Sequence, residues 1–281
     1  MMSSIPTLPL SRWIEQGLNS LTSSYSGVTR SVSRFTQDGI DLLNDGLLAL
    51  PEWLLIAAFA LLCWRASGWR LAIGAVAGLG LIWNLGLWVP MIQTLTLVVI
   101  ATLVAIVIAL PIGIVAALSN RLYKVVMPML DFMQTMPAFV YLIPAIPFFG
   151  IGAVSAIFAT VIFSMPPAIR LTILGIRQVP SDLIEAADAY GATRRQKLFK
   201  VQLPLALPTI MAGVNQTIML ALSMVVIAAM IGADGLGSEV WRAIQRLRSG
   251  DGFVAGIAVV ILAMLLDRLT QSLQKRSSKK K

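Results

Sequence analysis

The chain has 281 residues, 57% hydrophobic and 12% charged, with a mean hydropathy of +0.83; an average soluble domain carries about 25% charged residues. That composition excludes a soluble globular domain and describes an integral membrane protein. The net charge of +9 does not point to nucleic acid, because the bases lie in short segments between apolar runs, and one cysteine (Cys63) with no histidine excludes an intramolecular disulfide and a Cys/His zinc site, so no metal is expected.

Residues 1–50 hold no apolar run of the signal-peptide kind, since Pro6, Pro9 and frequent serines interrupt it. Trp13, Leu18 and Leu21 recur near helical spacing, and two readings stay open: an extracytoplasmic amphipathic surface helix or a weakly ordered tail. Apolar runs follow at 51–64, 71–90, 91–118, 127–149, 153–175, 206–231 and 253–269. Each is weighed against the roughly 20 residues that a helix needs to cross a core of about 30 Å. The expected fold is all-α and polytopic, with about six to seven spans: one or two accessory spans in 51–90, then a core at 91–272. The run at 51–64 is short and reads equally as re-entrant or interfacial. Trp88, Val89 and Pro90 suit a tight turn between the second and third runs.

The run at 127–149 carries Pro137, Pro144 and Pro147. Each removes a helix hydrogen bond, and a broken helix at membrane depth belongs against a cavity. Residues 235–252 read as a short amphipathic helix at the outer surface, with Val240, Ile244 and Leu247 on one face. Residues 273–281 form a basic cytoplasmic tail suited to anionic lipid. With the amino terminus outside, only Arg12, Arg30, Arg34, Arg242, Arg246 and Arg248 of the 22 bases lie outside. That bias places the carboxyl terminus inside.

One stretch breaks the apolar pattern: SDLIEAADAYGATRRQKLFKVQLP, 181–204, with three acids and four bases. Pro180, Ser181 and Asp182 mark a helix start, and Gly191 is suited to end that helix at positive φ. Thr193 followed by Gln196 is a capping box, so a second short helix begins there and is expected to stop before Pro204. Leu183, Ile184, Ala187, Leu198 and Val201 could pack on the ends of the spans. The element is an L-shaped cytoplasmic piece or an ordinary linking loop.

EAADAYGATRRQKLFKVQLP resembles the EAA loop of permease subunits in binding-protein-dependent ABC importers. The family pattern is EAA, three residues, Gly, nine residues, a branched apolar residue, one residue and Leu-Pro. Glu185, Ala186, Ala187, Gly191, Leu203 and Pro204 match it, and Val201 stands where isoleucine is common. The resemblance implies a type I ABC importer transmembrane fold in which this loop couples to a separate ATPase subunit, with Arg194 and Arg195 in the coupling surface. It also implies a periplasmic binding protein, a second permease copy as a homodimer, and ATP with magnesium on the partner ATPase. The chain has no G-x-x-x-x-G-K-[ST] phosphate loop and no catalytic residues of its own are expected. Likeness over roughly 91–272, including LDFMQTMPAFVYLIPAIPFFGIG (130–152), places it near permeases for glycine betaine, proline and choline. A permease for another small amino-acid-like solute is the alternative.

Polar and aromatic groups in the spans give candidates for a translocation path: Gln134, Thr135, Pro137, Tyr141, Asn215, Gln216 and Thr217. Interhelical hydrogen bonding explains the polar ones equally well. Trp83, Phe139, Phe148, Phe149 and Phe158 could face a quaternary ammonium cargo or serve as packing. Asp131 reads as a structural acid, at a helix end or paired with Lys124, in preference to a cation site. A membrane-embedded enzyme is disfavoured by the lack of nucleophiles and paired acids. An ion-coupled secondary transporter would need inverted repeats and a buried carboxylate relay, and a channel has no use for the loop.

Overall fold

The computed structural model of the chain describes residues 9–279, and among these every regular element is helical. Two amphipathic helices come first, α1 (Leu10–Ser24) and α2 (Ser26–Leu48). The helical reading of this region therefore holds over the weakly ordered tail. They pack on the later helices Trp88–Leu118, Leu142–Phe149 and Ala153–Arg177, and α2 buries Ile40 in the main core.

A helical hairpin follows, α3 (Glu52–Ser67) and α4 (Trp69–Asn84), turned at Gly68 with φ 99°. Each is 16 residues, about 24 Å at 1.5 Å per residue and short of a perpendicular crossing. The hairpin docks on the last helix, where a Cβ on Gly78 would lie 2.7 Å from Ile261. The turn before the core differs from the expected one. It falls at Leu85–Leu87, with Gly86 at φ 70°, and α5 begins at Trp88. Pro90 thus sits in the first turn of a helix, where its missing N–H leaves no bond unmade.

The core is built on α5 (Trp88–Leu118), α8 (Ala153–Arg177), α11 (Leu203–Ala228) and α13 (Ser249–Lys279). These helices pack through small residues. A Cβ on Gly113 of α5 would meet Thr172 of α8 at 2.7 Å, and one on Gly213 of α11 would meet Leu171 at 3.0 Å and the Ala168 backbone at 3.1 Å. In lipid, close van der Waals approach of this kind replaces the hydrophobic drive that water supplies elsewhere.

Between α5 and α8 the run 127–149 is not one span. It is α6 (Asn120–Thr135), a 3-10 turn (Ala138–Tyr141) and α7 (Leu142–Phe149), bent by 110° between the two halves. Pro137 alone makes the break. It holds Met136 extended at ψ 134°, whereas Pro144 falls in the first turn of α7 and Pro147 is carried inside it. Among the described residues, four helices are long and apolar enough to cross a membrane, or up to six when each bent pair counts as one span. Of the six to seven spans expected, the lower figure is reached only with both bent pairs counted: α4 is 16 residues long, and 51–64 enters joined to α2 through a 99° bend.

The short elements complete the chain: α9 (Ser181–Ala189), α10 (Arg194–Gln196), a π turn (Lys197–Gln202) leading into α11, and α12 (Leu236–Gln245). Helix α12 ends before Leu247, which lies in the next turn at φ 54° and is 90% exposed. The stripe Val240, Ile244 and Leu247 is thus not one buried helical face. Its buried contacts come from Leu236, Gly237 and Ala243. Of the tail 273–281, the helix backbone runs to Lys279 and the remainder lies outside the described residues.

Candidate functional site

The 181–204 element takes the L shape, with two differences from its sequence reading. Helix α9 starts on Pro180 as its N-cap, so Ser181 is the first helical residue and bonds to the Asp182 carboxylate, not to a backbone amide. At the corner, Gly191 has φ 73°. Its N–H donates to the Asp188 carbonyl and the Ala192 N–H to the Ala187 carbonyl, both at 2.9 Å. These paired bonds satisfy carbonyls at the helix end, and only glycine takes that conformation without strain.

Across the corner the capping box forms in full. The Gln196 N–H donates to Thr193 Oγ1 at 3.3 Å, and the Thr193 N–H donates to Gln196 Oε1 at 2.8 Å. Lys197 reaches back to Asp188, with N to O distances of 2.6 and 2.8 Å, and clasps the two arms together.

The second arm does not stop before Pro204. It passes through the π turn into α11 and gives one unbroken helix, Arg194–Ile231, of 38 residues. Proline at 204 has no N–H to give the Lys200 carbonyl. The wider π turn absorbs that defect with i to i+5 bonding in place of a break. The arm that carries Arg194 and Arg195 is therefore the first part of a helix long and apolar enough to span a membrane. Leu198 buries beside Ala117, Ile176, Ala206 and Ile210 and fixes it to the bundle.

Helix α9 has no buried residue. Glu185 and Ala186 are exposed, Ala187 is half-buried, and Tyr190 stands 93% exposed at the tip. Of the residues expected to pack on the spans, Leu198 is buried, Val201, Ile184 and Ala187 are partly buried, and Leu183 is 45% exposed. A helix with small residues and no covering partner in its own chain is open to another surface.

The path candidates fall into two groups. Gln134, Thr135 and Pro137 are exposed at the 110° break, while Tyr141 is buried. The Tyr141 hydroxyl donates to the Met133 carbonyl, which is the acceptor that Pro137, lacking an N–H, leaves without its helical donor. Its role is therefore to repair the break. The 3-10 turn packs on α11, which brings the first group near the second.

Asn215, Gln216 and Thr217 are consecutive on a helix and so point about 100° apart. Gln216 is exposed, Thr217 is fully buried, and Asn215 is tied to α13. The Asn215 Nδ2 donates to Asp267 at 3.0 Å, its oxygen accepts from the Thr270 hydroxyl, and Gln271 donates to the same carboxylate at 2.8 and 2.9 Å. Only Gln216 of the three is free to face a path.

Asp131 pairs with Arg170 of α8, not with Lys124. The acid that sequence reading missed is Asp267, which lies inside the run 253–269 and was visible there as a carboxylate in an apolar segment. A carboxylate in an apolar segment needs hydrogen-bond partners, and Asn215 Nδ2 and Gln271 Nε2 supply them. The aromatic residues pack on one another rather than forming a cage: Phe149 lies 4.5 Å from Phe158 and 6.4 Å from Phe148. Trp83 and Phe139 are exposed.

A bundle of spanning helices with an L-shaped charged element at one end, itself continuous with a span, defines a membrane transport subunit driven from outside its own chain. Residues 109–280 match the family model described as binding-protein-dependent transport system inner membrane component. The chain belongs to that family. It is 51% identical to the glycine betaine/carnitine transport permease protein GbuB of Listeria monocytogenes, over 98% of this chain and 99% of that one. It is 49% identical to the glycine betaine transport system permease protein OpuAB of Bacillus subtilis, over 97% of each. A third relative is the glycine betaine/proline betaine transport system permease protein ProW of Escherichia coli, 49% identical over 96% of this chain and 76% of that one. Among solved structures, an inward-facing MetNI methionine ABC transporter aligns with a TM-score of 0.61 and 24% identity, over 66% of this chain and 93% of that one. That likeness supports the type I importer fold. The chain is thus a multi-pass permease subunit of an ABC importer, not an enzyme, and its family implies an ATPase partner and a substrate-binding protein.

Proposed function

We propose that this permease imports a quaternary ammonium compatible solute of the glycine betaine type, with ATP and magnesium held on the partner ATPase. The observation that carries the cargo is the near-full-length identity of about half to three permeases whose names specify glycine betaine. Two copies of the chain form the pathway, the amino terminus lies outside and the carboxyl terminus inside. Sixteen of the 22 bases on the inner side support that orientation.

In this reading 181–204 is the coupling loop. Glu185, Ala186, Ala187 and Gly191 present α9 to a cleft of the ATPase, Arg194 and Arg195 face it from the second arm, and Leu203 and Pro204 join that arm to the span. The exposed Gln134, Thr135, Pro137 and Gln216 line the path between the two copies. High-affinity selection rests with the binding protein, and the path needs to be only tolerant of a small zwitterion. The basic composition of 273–281 suits anionic lipid of the inner leaflet.

Uptake of labelled glycine betaine into proteoliposomes holding the chain with its ATPase and binding protein tests this reading. Accumulation that requires both ATP and the binding protein is expected. Accumulation by this chain alone under an ion gradient would overturn it. Strict ATP dependence with preference for a different solute would overturn only the cargo.

A further inference from the structure

Among the described residues, α11 and α13 are cross-linked by one polar cluster, Asn215, Asp267, Thr270 and Gln271. Its position is informative. Asn215 lies on the unbroken helix Arg194–Ile231, whose cytoplasmic end is the second arm of the L-shaped element. Asp267 lies on α13, which carries α12 on its outer part and holds the α3–α4 hairpin where Gly78 meets Ile261.

The other contacts of α11 are of a different kind. Toward α8 it packs through Gly213 and Gly175 against backbone and small side chains. Packing of that kind resists separation, but a helix can slide or rotate over it. The Asn215–Asp267 bond, by contrast, is directional: at 3.0 Å it fixes one depth on α11 to one depth on α13. The carboxylate is held from both sides, by Asn215 across the interface and by Gln271 one turn further along its own helix. Arg268, the adjacent base, is exposed and makes no ion pair with it.

We infer that Asp267 is a positioning residue for transport: it latches α13 to the coupling helix, so that displacement of the 194–202 arm reaches α13, α12 and the α3–α4 hairpin. This rests on the reading of 181–204 as the coupling loop. The contiguous route is the Asp188–Lys197 clasp at the corner, the unbroken helix, the Asn215–Asp267 bond and then α13. A physical route becomes a functional one only when its members show coupling energy.

The experiment measures glycine betaine transported per ATP hydrolysed by the full transporter in proteoliposomes. Asp267→Leu and Asn215→Leu are each expected to lower that ratio by about fivefold or more, and the double variant to be no worse than either single one, because the two act as a unit. The exchanged pair Asn215→Asp with Asp267→Asn keeps one donor facing one acceptor across the interface and is expected to restore the ratio. A merely structural bond would change the yield or thermal stability of the complex and leave the ratio as in the parent, which would overturn the inference. Should the leucine variants fail to assemble, Asp267→Asn and the exchanged pair decide it: equal ratios for these two and the parent overturn the latch, and a loss repaired by the exchange supports it. If Arg194→Glu with Arg195→Glu leaves the ratio unchanged, the coupling-loop reading itself fails and the latch falls with it. If that variant lowers the ratio and Asp267→Leu does not, only the latch fails.

Discussion

At the scale of single residues, the sites that matter are those where backbone or depth leaves no choice. Gly191 stands at φ 73° with open space around its missing Cβ, so the penalty for a side chain there is conformational, about 1–2 kcal/mol. Gly191→Ala is expected to reduce ATP-driven uptake while membrane insertion, read by immunoblot of washed membranes, stays at the parent level. Thr94 shows another constraint. Its hydroxyl oxygen accepts from the buried Leu236 N–H at 2.8 Å and donates to the Pro90 carbonyl at 2.9 Å, fixing the start of α12 to α5. Thr94→Val leaves that amide unpaired, which costs about 1–3 kcal/mol. A lower midpoint of heat-induced aggregation in detergent is the expected result. Gly191 was legible from its place in the charged stretch. Thr94 was not, because its partner lies 142 residues away and nothing in a lone threonine of an apolar run announces it.

At the scale of elements, most helices were legible and their ends and joins were not. Apolar runs mark spans because length and hydropathy are local properties. Whether two helices join is decided by hydrogen bonds that proline removes and tertiary contacts restore. Pro137 breaks the chain between α6 and α7, yet Pro204 does not break the helix Arg194–Ile231, since the π turn supplies an alternative ladder there. Both look the same in sequence. Pro204→Ala is expected to let the turn tighten toward α-helical bonding, re-phasing Arg194 and Arg195 relative to α11. The expected result is lower uptake per ATP with the helix content by circular dichroism unchanged. Packing between elements was hidden for the same reason. Gly213 and Gly80 are alike as isolated glycines in apolar runs, but a Cβ on Gly213 meets α8 within 3.1 Å and one on Gly80 meets nothing within 4 Å. Gly213→Leu is expected to abolish a monodisperse peak on size-exclusion chromatography, and Gly80→Leu to retain it.

At the scale of the whole molecule, the division of labour is written in what each end offers. One end presents α9, which buries none of its residues, and Tyr190 at its tip. The opposite end is closed over by α1 and α2, which sequence periodicity suggested and the fold places against α7 and α5. The candidate site was legible in two unequal parts. The loop stands out because charge interrupts an apolar chain at fixed spacing. The path residues do not, because adjacent polar positions such as Asn215, Gln216 and Thr217 look equivalent in sequence and diverge by 100° per residue on a helix.

The central claim is that ATP-driven motion enters this chain through the 181–204 element. Its most direct test is the ratio of glycine betaine taken up to ATP hydrolysed when Arg194→Glu and Arg195→Glu are combined in the reconstituted transporter. The account predicts normal insertion with uptake per ATP lowered by about tenfold or more. An unchanged ratio, with the variant fully inserted and assembled, would contradict it.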